Sequence, residues 1–215
     1  MHFSADAILF DSDETLVSTM RSVVRAWTRW AESYGMTLAD VTRVEVHGRP
    51  AAAIVADLLP AHLVAEAVAR LEDAEVADAV GGGVVPVPGA AELLAELPVD
   101  RWAVVTSGTR RVAEARLAQA GIHPKFLITI DDITHHKPHP EPFLLAAQQL
   151  GVDPARCVVV EDAPAGLTAG RAAGMKTIAL TTTHSAADLD ADAIVADLTA
   201  VSVQAAGTGL TITIE

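Results

Sequence analysis

The chain carries a single cysteine, Cys157, in 215 residues. That excludes an internal disulfide and agrees with a reducing compartment. The cysteine stands in the apolar run CVVV, which reads as core and not as a nucleophile. Aromatic residues are scarce at 4%, against 51% hydrophobic residues overall, so a core must be built mostly from Ala, Val, Leu and Ile. Positive charge is also in short supply. There are 15 Lys and Arg against 28 Asp and Glu, a net charge of −13 and a pI near 4.9. Such a balance argues against nucleic acid or an anionic membrane as partner. No apolar run approaches the ~20 residues of a membrane span, and the opening residues MHFSADA lack the basic flank and apolar segment of a signal peptide. The expectation is a soluble, cytoplasmic protein in which nothing demands more than a monomer.

What is present is a rhythm of short apolar runs: AILF, WAVVT, FLITI, CVVVE and TIAL, at residues 7–10, 102–106, 126–130, 157–161 and 177–180. Their length and β-branched character suit buried parallel strands. Helical patterns separate most of them: VAEARLAQAG, PFLLAAQQLG and AGLTAGRAAG. Strand alternating with helix predicts an α/β fold, a Rossmann-like parallel sheet covered on both faces. Residues 17–85 break the rhythm. Val17, Met20, Val24, Trp27, Ala31 and Tyr34 recur at helical spacing, and AAAIVADLL and HLVAEAVARLEDAEVADAV continue without a convincing strand, closing on the flexible return GGGVVPVPG. The division expected is therefore a core of residues 1–16 and 86–215 with a helical insertion at 17–85. The C-terminal stretch VSVQAAGTGLTITI alternates and turns at Gly207 and Gly209, which predicts a terminal hairpin.

Ligands of open parallel sheets bind beyond the carboxyl ends of the strands. Polar residues gather there: Asp11 and Asp13 after the first strand, Thr106 and Ser107 after the second, Lys137 after the third, Glu161 and Asp162 after the fourth. This grouping matches phosphoryl transfer. A carboxylate attacks phosphorus to give an acyl-phosphate, dividing the reaction into two easier steps. Attack by an anion on an anion needs charge neutralisation, and Mg²⁺ takes carboxylate ligands with a few waters. Lys137 supplies a second positive charge. Thr106 and the backbone amides of Ser107 and Gly108 are placed to hold phosphate oxygens.

The segments DSDETLV, VVTSG, KPHPEP and EDAPAG, in that order, resemble the four motifs of the haloacid dehalogenase superfamily of phosphatases, in particular those with a small helical cap. WAVVTSGT, KPHPEPFLLAAQQLG and VVVEDAPAGLTAGRAAG are most similar to the sugar-phosphate, 2-deoxyglucose-6-phosphate and glycerol-3-phosphate phosphatases. The resemblance covers nearly the whole chain. It implies that Asp11 is the nucleophile and an Mg²⁺ ligand. Asp13 becomes the general acid and then the base, with its main-chain carbonyl on the metal. Asp162 becomes a direct metal ligand, with Glu161 beside it or one water away, and Thr106 and Lys137 hold the phosphoryl group. The function implied is a Mg²⁺-dependent phosphomonoesterase for a small phosphorylated sugar or polyol. Arg49, in the loop His47-Gly48-Arg49-Pro50, becomes a candidate contact to substrate.

Glu14 departs from the pattern, since the family usually has glycine there. A third carboxylate would repel phosphate, so its expected direction is toward solvent or the hinge of the cap. His135, His136 and His139, flanking a lysine in a proline-rich loop, read as surface residues. A sugar phosphomutase is the nearest alternative, although Thr15 follows the acidic motif as in the phosphatases. A dehalogenase has no need of Asp13 or a metal. A signalling receiver shares clustered acids, a hydroxyl and a lysine, but is about half this length; a catalytically weakened regulatory protein requires Glu14 to have disabled the site.

Overall fold

The protein is described from a computed structural model covering residues 1–44, 50–207 and 209–215. The chain opens with β1 (His2–Ala5) and β2 (Ala7–Phe10), passes the two-residue strand β3 (Val17–Ser18) and enters the helices α1 (Met20–Ser33), α2 (Leu38–Val41), α3 (Ala51–Leu58) and α4 (Ala61–Asp78). It returns through β4 (Val85–Pro86) to α5 (Ala90–Glu96), β5 (Trp102–Val105), α6 (Arg110–Gln119), β6 (Leu127–Ile128) and α7 (Glu141–Leu150). Then follow β7 (Cys157–Glu161), α8 (Pro164–Ala172), β8 (Lys176–Leu180), β9 (Ala193–Val195), β10 (Val201–Ala206) and β11 (Gly209–Ile214). No helix among the described residues is long and apolar enough to cross a membrane.

The expected α/β architecture is present. The main sheet has the order β6-β5-β2-β7-β8-β9, and each of its pairings is parallel. Side chains alternate across a strand, and both faces here are apolar. Ile8, Phe10, Val104, Val158 and Val160 pack with Leu93 of α5 and Leu117 of α6. Ala7, Leu9, Ala103, Val105 and Val159 pack on the other face with Phe143, Ala146 and Ala147 of α7 and Ala169 of α8. This two-sided burial is why AILF and CVVV read as continuous hydrophobic runs.

The sequence misplaces some details. FLITI yields only the two residues of β6, because Thr129 begins a tight turn closed by Asp132, whose carboxylate accepts from the Thr129 backbone N–H and hydroxyl, both at 2.8 Å. The terminal hairpin forms as β10 and β11. The unpredicted β1 adds a third strand to it, with His2 opposite Thr213. The insertion is not wholly helical at its ends either: Val17 pairs with Pro86 and Ser18 with Val85, so the outgoing and returning chains form an antiparallel ribbon. Between them, Trp27, Trp30, Ile54, Val55 and Leu71 make a separate small core, and the Trp30 indole N–H donates to Ala67 O at 2.8 Å.

Candidate active site

The backbone N–H of Asp11 donates to Val160 O at 2.9 Å, which extends the β2–β7 pairing by one rung and fixes Asp11 at the strand end. The side chain is buried. Lys137, across a cis peptide from Pro138, projects its ammonium beneath the same edge. It donates to Asp11 Oδ1 at 2.6 Å, Glu161 Oε1 at 2.8 Å and Val105 O at 2.9 Å. All three ammonium protons are engaged, and the lysine ties β2, β5 and β7 together at their carboxyl ends.

Asp11, Glu161 and Asp162 each bring an oxygen within 4.8 Å of the others'. Against these buried carboxylates stands one ammonium, and the imbalance shows in proton affinity. Burial, reinforced by Glu161 and Asp13 against the pull of Lys137, raises the Asp11 carboxyl to about 7. Burial and the neighbouring Glu161 and Asp11 raise Asp162 to about 9. Burial opposes the charge of Lys137, but its two carboxylate partners outweigh it and hold the ammonium above its ordinary value. A set of hard oxygen donors carrying surplus negative charge suits a divalent cation, so the residues present fit a metal of that kind.

Glu161 is the most constrained of the three. Its Oε2 accepts the backbone N–H of Asp162 at 2.9 Å and of Ala163 at 2.8 Å, while Oε1 faces Lys137. The carboxylate lies across the start of α8, where a Cβ on Gly166 would sit 1.7 Å from Oε1. Asp162 is steadied by Thr183 Oγ1 at 2.5 Å and Thr15 Oγ1 at 3.4 Å.

Thr106 is buried at the end of β5, and its hydroxyl oxygen accepts the Gly108 N–H at 3.1 Å, so that amide is turned toward the threonine. Asp13 Oδ1 lies 3.0 Å from Nη1 of Arg116. Glu14, at φ 57°, turns its carboxylate to the hinge: Oε1 accepts the backbone N–H of Thr19 at 2.6 Å and of Met20 at 2.7 Å. Asp11, Asp13, Thr106, Ser107, Gly108, Lys137, Glu161 and Asp162 all line one cavity of about 450 Å³, walled on the other side by the insert.

Residues 5–174 match the haloacid dehalogenase-like hydrolase family. The chain belongs to that family. Hexitol phosphatase A of Escherichia coli (strain K12) is 40% identical over 178 residues, 80% of this chain and 81% of that protein. Glycerol-1-phosphate phosphohydrolase 2 of Saccharomyces cerevisiae is 37% identical over 201 residues, 88% of this chain and 79% of its own. The crystal structure of CbbY from Rhodobacter sphaeroides in complex with phosphate superposes with a TM-score of 0.77 at 26% identity, covering 90% of this chain and 95% of that one.

The other sequence-derived candidates fall as follows in this hydrolase. Arg49, with His47 and Gly48, lies outside the described residues. His135, His136 and His139 are exposed, and the His135 Nδ1 sits 2.7 Å from the Glu141 carboxylate. Cys157 is buried, its thiol pushed up to about 12 by that burial. Sequence reasoning missed Thr183, Arg116, Glu75 and Gly166. A signal existed for two of them: TTT follows the TIAL strand, and Arg116 interrupts the buried stripe Val112, Ala113, Leu117 of α6.

Proposed function

We propose that this hydrolase is a Mg²⁺-dependent phosphomonoesterase acting on a small phosphorylated sugar or polyol through an aspartyl-phosphate on Asp11. The observation that carries the reading is the Lys137 ammonium clamped between Asp11 and Glu161 beside Asp162. Named relatives that are hexitol and glycerol phosphate phosphatases support the substrate class.

Lys137 holds Asp11 Oδ1, which leaves Oδ2 as the attacking oxygen. Its lone pair forms the bond to phosphorus as the ester P–O bond breaks, and Asp13 gives its proton to the departing alkoxide. Asp13 then takes a proton from water; that oxygen attacks phosphorus, the bond to Asp11 breaks, and phosphate leaves. Thr106 and Ser107 line the cavity at the end of β5, where they would face the transferring group. Asp11, Asp162 and the main-chain carbonyl of Asp13 would hold Mg²⁺, which when bound neutralises the charge between carboxylate and phosphate. Glu161, with both oxygens hydrogen-bonded, anchors Lys137 and the turn after β7.

The test is phosphate release from a panel of sugar and polyol phosphates, with Mg²⁺ and with chelator. Metal-dependent release of free phosphate is expected; an isomeric sugar phosphate as product, or no turnover of any ester, overturns the reading.

A further inference from the structure

Helix α4 of the insert and helix α6 of the core meet through opposite charge. Thr109 donates to Glu72. Arg111 lies 2.6 Å from Asp73 and 3.5 Å from Glu72. Arg116 lies 3.2 Å from Glu75. The Arg111 contacts sit on the rim, with its side chain 54% exposed, whereas that of Arg116 is only 6% exposed.

Arg116 alone among these also reaches the catalytic edge, with Nη1 on Asp13 Oδ1 at 3.0 Å and Nη2 on Glu75 Oε1 at 3.2 Å. Its buried Nε–H meets no acceptor among the described residues. The guanidinium is therefore held by one carboxylate from the core and one from the insert. Charge-assisted hydrogen bonds of this kind are short and directional, so a shift of α4 by about an ångström cannot preserve both. The seating of α4 and the direction of the Asp13 carboxylate are one arrangement.

We propose that Arg116 is a positioning residue: it fixes the direction of the Asp13 carboxylate, leaving Oδ2 for proton transfer, and through Glu75 makes that direction depend on the insert being seated. The proposal rests on the proton-transfer role given to Asp13 above.

The leaving group supplies the test. Glycerol phosphate must receive a proton as its alkoxide departs, whereas p-nitrophenyl phosphate releases an anion stable without one. Arg116→Met is expected to lower kcat/KM for glycerol phosphate at least ~10-fold more than for p-nitrophenyl phosphate, within the ~10²–10⁴-fold that proton transfer supplies. Arg116→Lys, which keeps a donor but not the fork, should recover part of that loss and serves if the Met variant does not fold. Arg111→Ala, on the rim, should leave the ratio of the two esters unchanged. Equal losses on both esters, or a ratio shifted as far by Arg111→Ala, overturn the proposal. Hydrogen exchange gives an arm independent of turnover. Amides of residues 12–17 and of α4 should both exchange faster in Arg116→Met, and unchanged protection at 12–17 overturns the proposal. A wild type inert toward both esters overturns the hydrolytic reading instead, and exchange alone then decides the role of Arg116.

Discussion

Glu14 stands five residues before Thr19 and caps the helix that Thr19 begins, its Oε1 2.6 Å from the Thr19 backbone N–H. The Thr19 side chain makes no capping bond of its own. The third carboxylate of DSDETLV thus satisfies the open amides of α1, where negative charge is favoured. Glu14→Gln keeps an acceptor oxygen and should change kcat/KM little while lowering the melting temperature slightly, through loss of a charge term of ~0.3–1 kcal/mol. Glu14→Gly relaxes the positive φ but removes the cap. Kinetics across a salt series with parallel thermal melts check this. A large, salt-sensitive gain in the Gln variant would mean that the carboxylate faces phosphate.

The three aspartates should fail in three ways. Asp11→Asn is expected to abolish turnover by several orders of magnitude in a folded protein. Asp13→Asn should lose ~10²–10⁴-fold yet titrate Mg²⁺ with near wild-type affinity, since its proposed ligand is a backbone carbonyl. Asp162→Asn should bind Mg²⁺ weakly and regain activity in excess metal. Calorimetric titration of all three separates these outcomes, and equal affinity loss in the Asp13 and Asp162 variants contradicts the assignment.

Gly166→Ala is expected to be costly at a position that offers the reaction no side chain of its own. The new methyl collides with the Glu161 carboxylate, which must swing off Lys137 or lift α8. Overpacking of this sort costs ~1–3 kcal/mol. We expect a fall in denaturation midpoint together with at least a ~10-fold loss of kcat. A variant matching wild type in both would show that Glu161 has room to move.

Removing metal should make stability depend on pH. Asp11 and Asp162 have raised carboxyl values in the folded state, about 7 and about 9. The native chain therefore holds protons that the unfolded chain has released. Their stabilising contribution is complete below the ordinary carboxylate range and is lost as pH rises through those values. In chelator, the melting temperature should fall between pH 5.5 and 8.5, and Mg²⁺ should shrink that fall by stabilising the ionised cluster. Parallel slopes with and without Mg²⁺ would contradict this.

The strand ends were legible because each apolar run stops on a polar residue within a few positions: Phe10 before Asp11, Val105 before Thr106, Val160 before Glu161. Helical patterns likewise located α1, α6, α7 and α8, although the stripe read for α1 begins too early, with Val17 paired in β3, and its Met20 and Val24 are exposed. What stayed hidden depends on partners far away in the chain. Nothing in HFSA announces pairing with LTIT near the other end. Arg116 is visible as a charge on a buried stripe, but its bond to Asp13, 103 residues away, and to Glu75 on another unit cannot be read from α6 alone. The shortened β6 was readable in retrospect, since Thr129 and Asp132 have the spacing of a capping box. Glu14 was legible only as an anomaly, because its role requires the backbone to turn back over it.

The ribbon joining Val17–Ser18 to Val85–Pro86 brings both ends of the insert to one place, and the insert hangs from it as a pendant pinned a second time by the α4–α6 ion pairs. Replacing everything between the paired rungs with a tight turn would close the ribbon into an ordinary hairpin and leave the strand ends open to bulk water. The same carboxylates and lysine would then face phosphates displayed on a broad surface, while the pendant as it stands admits only what fits a small chamber. Walls and floor of that chamber are thus joined at two places, the ribbon and the Arg116 bridge between Asp13 and Glu75.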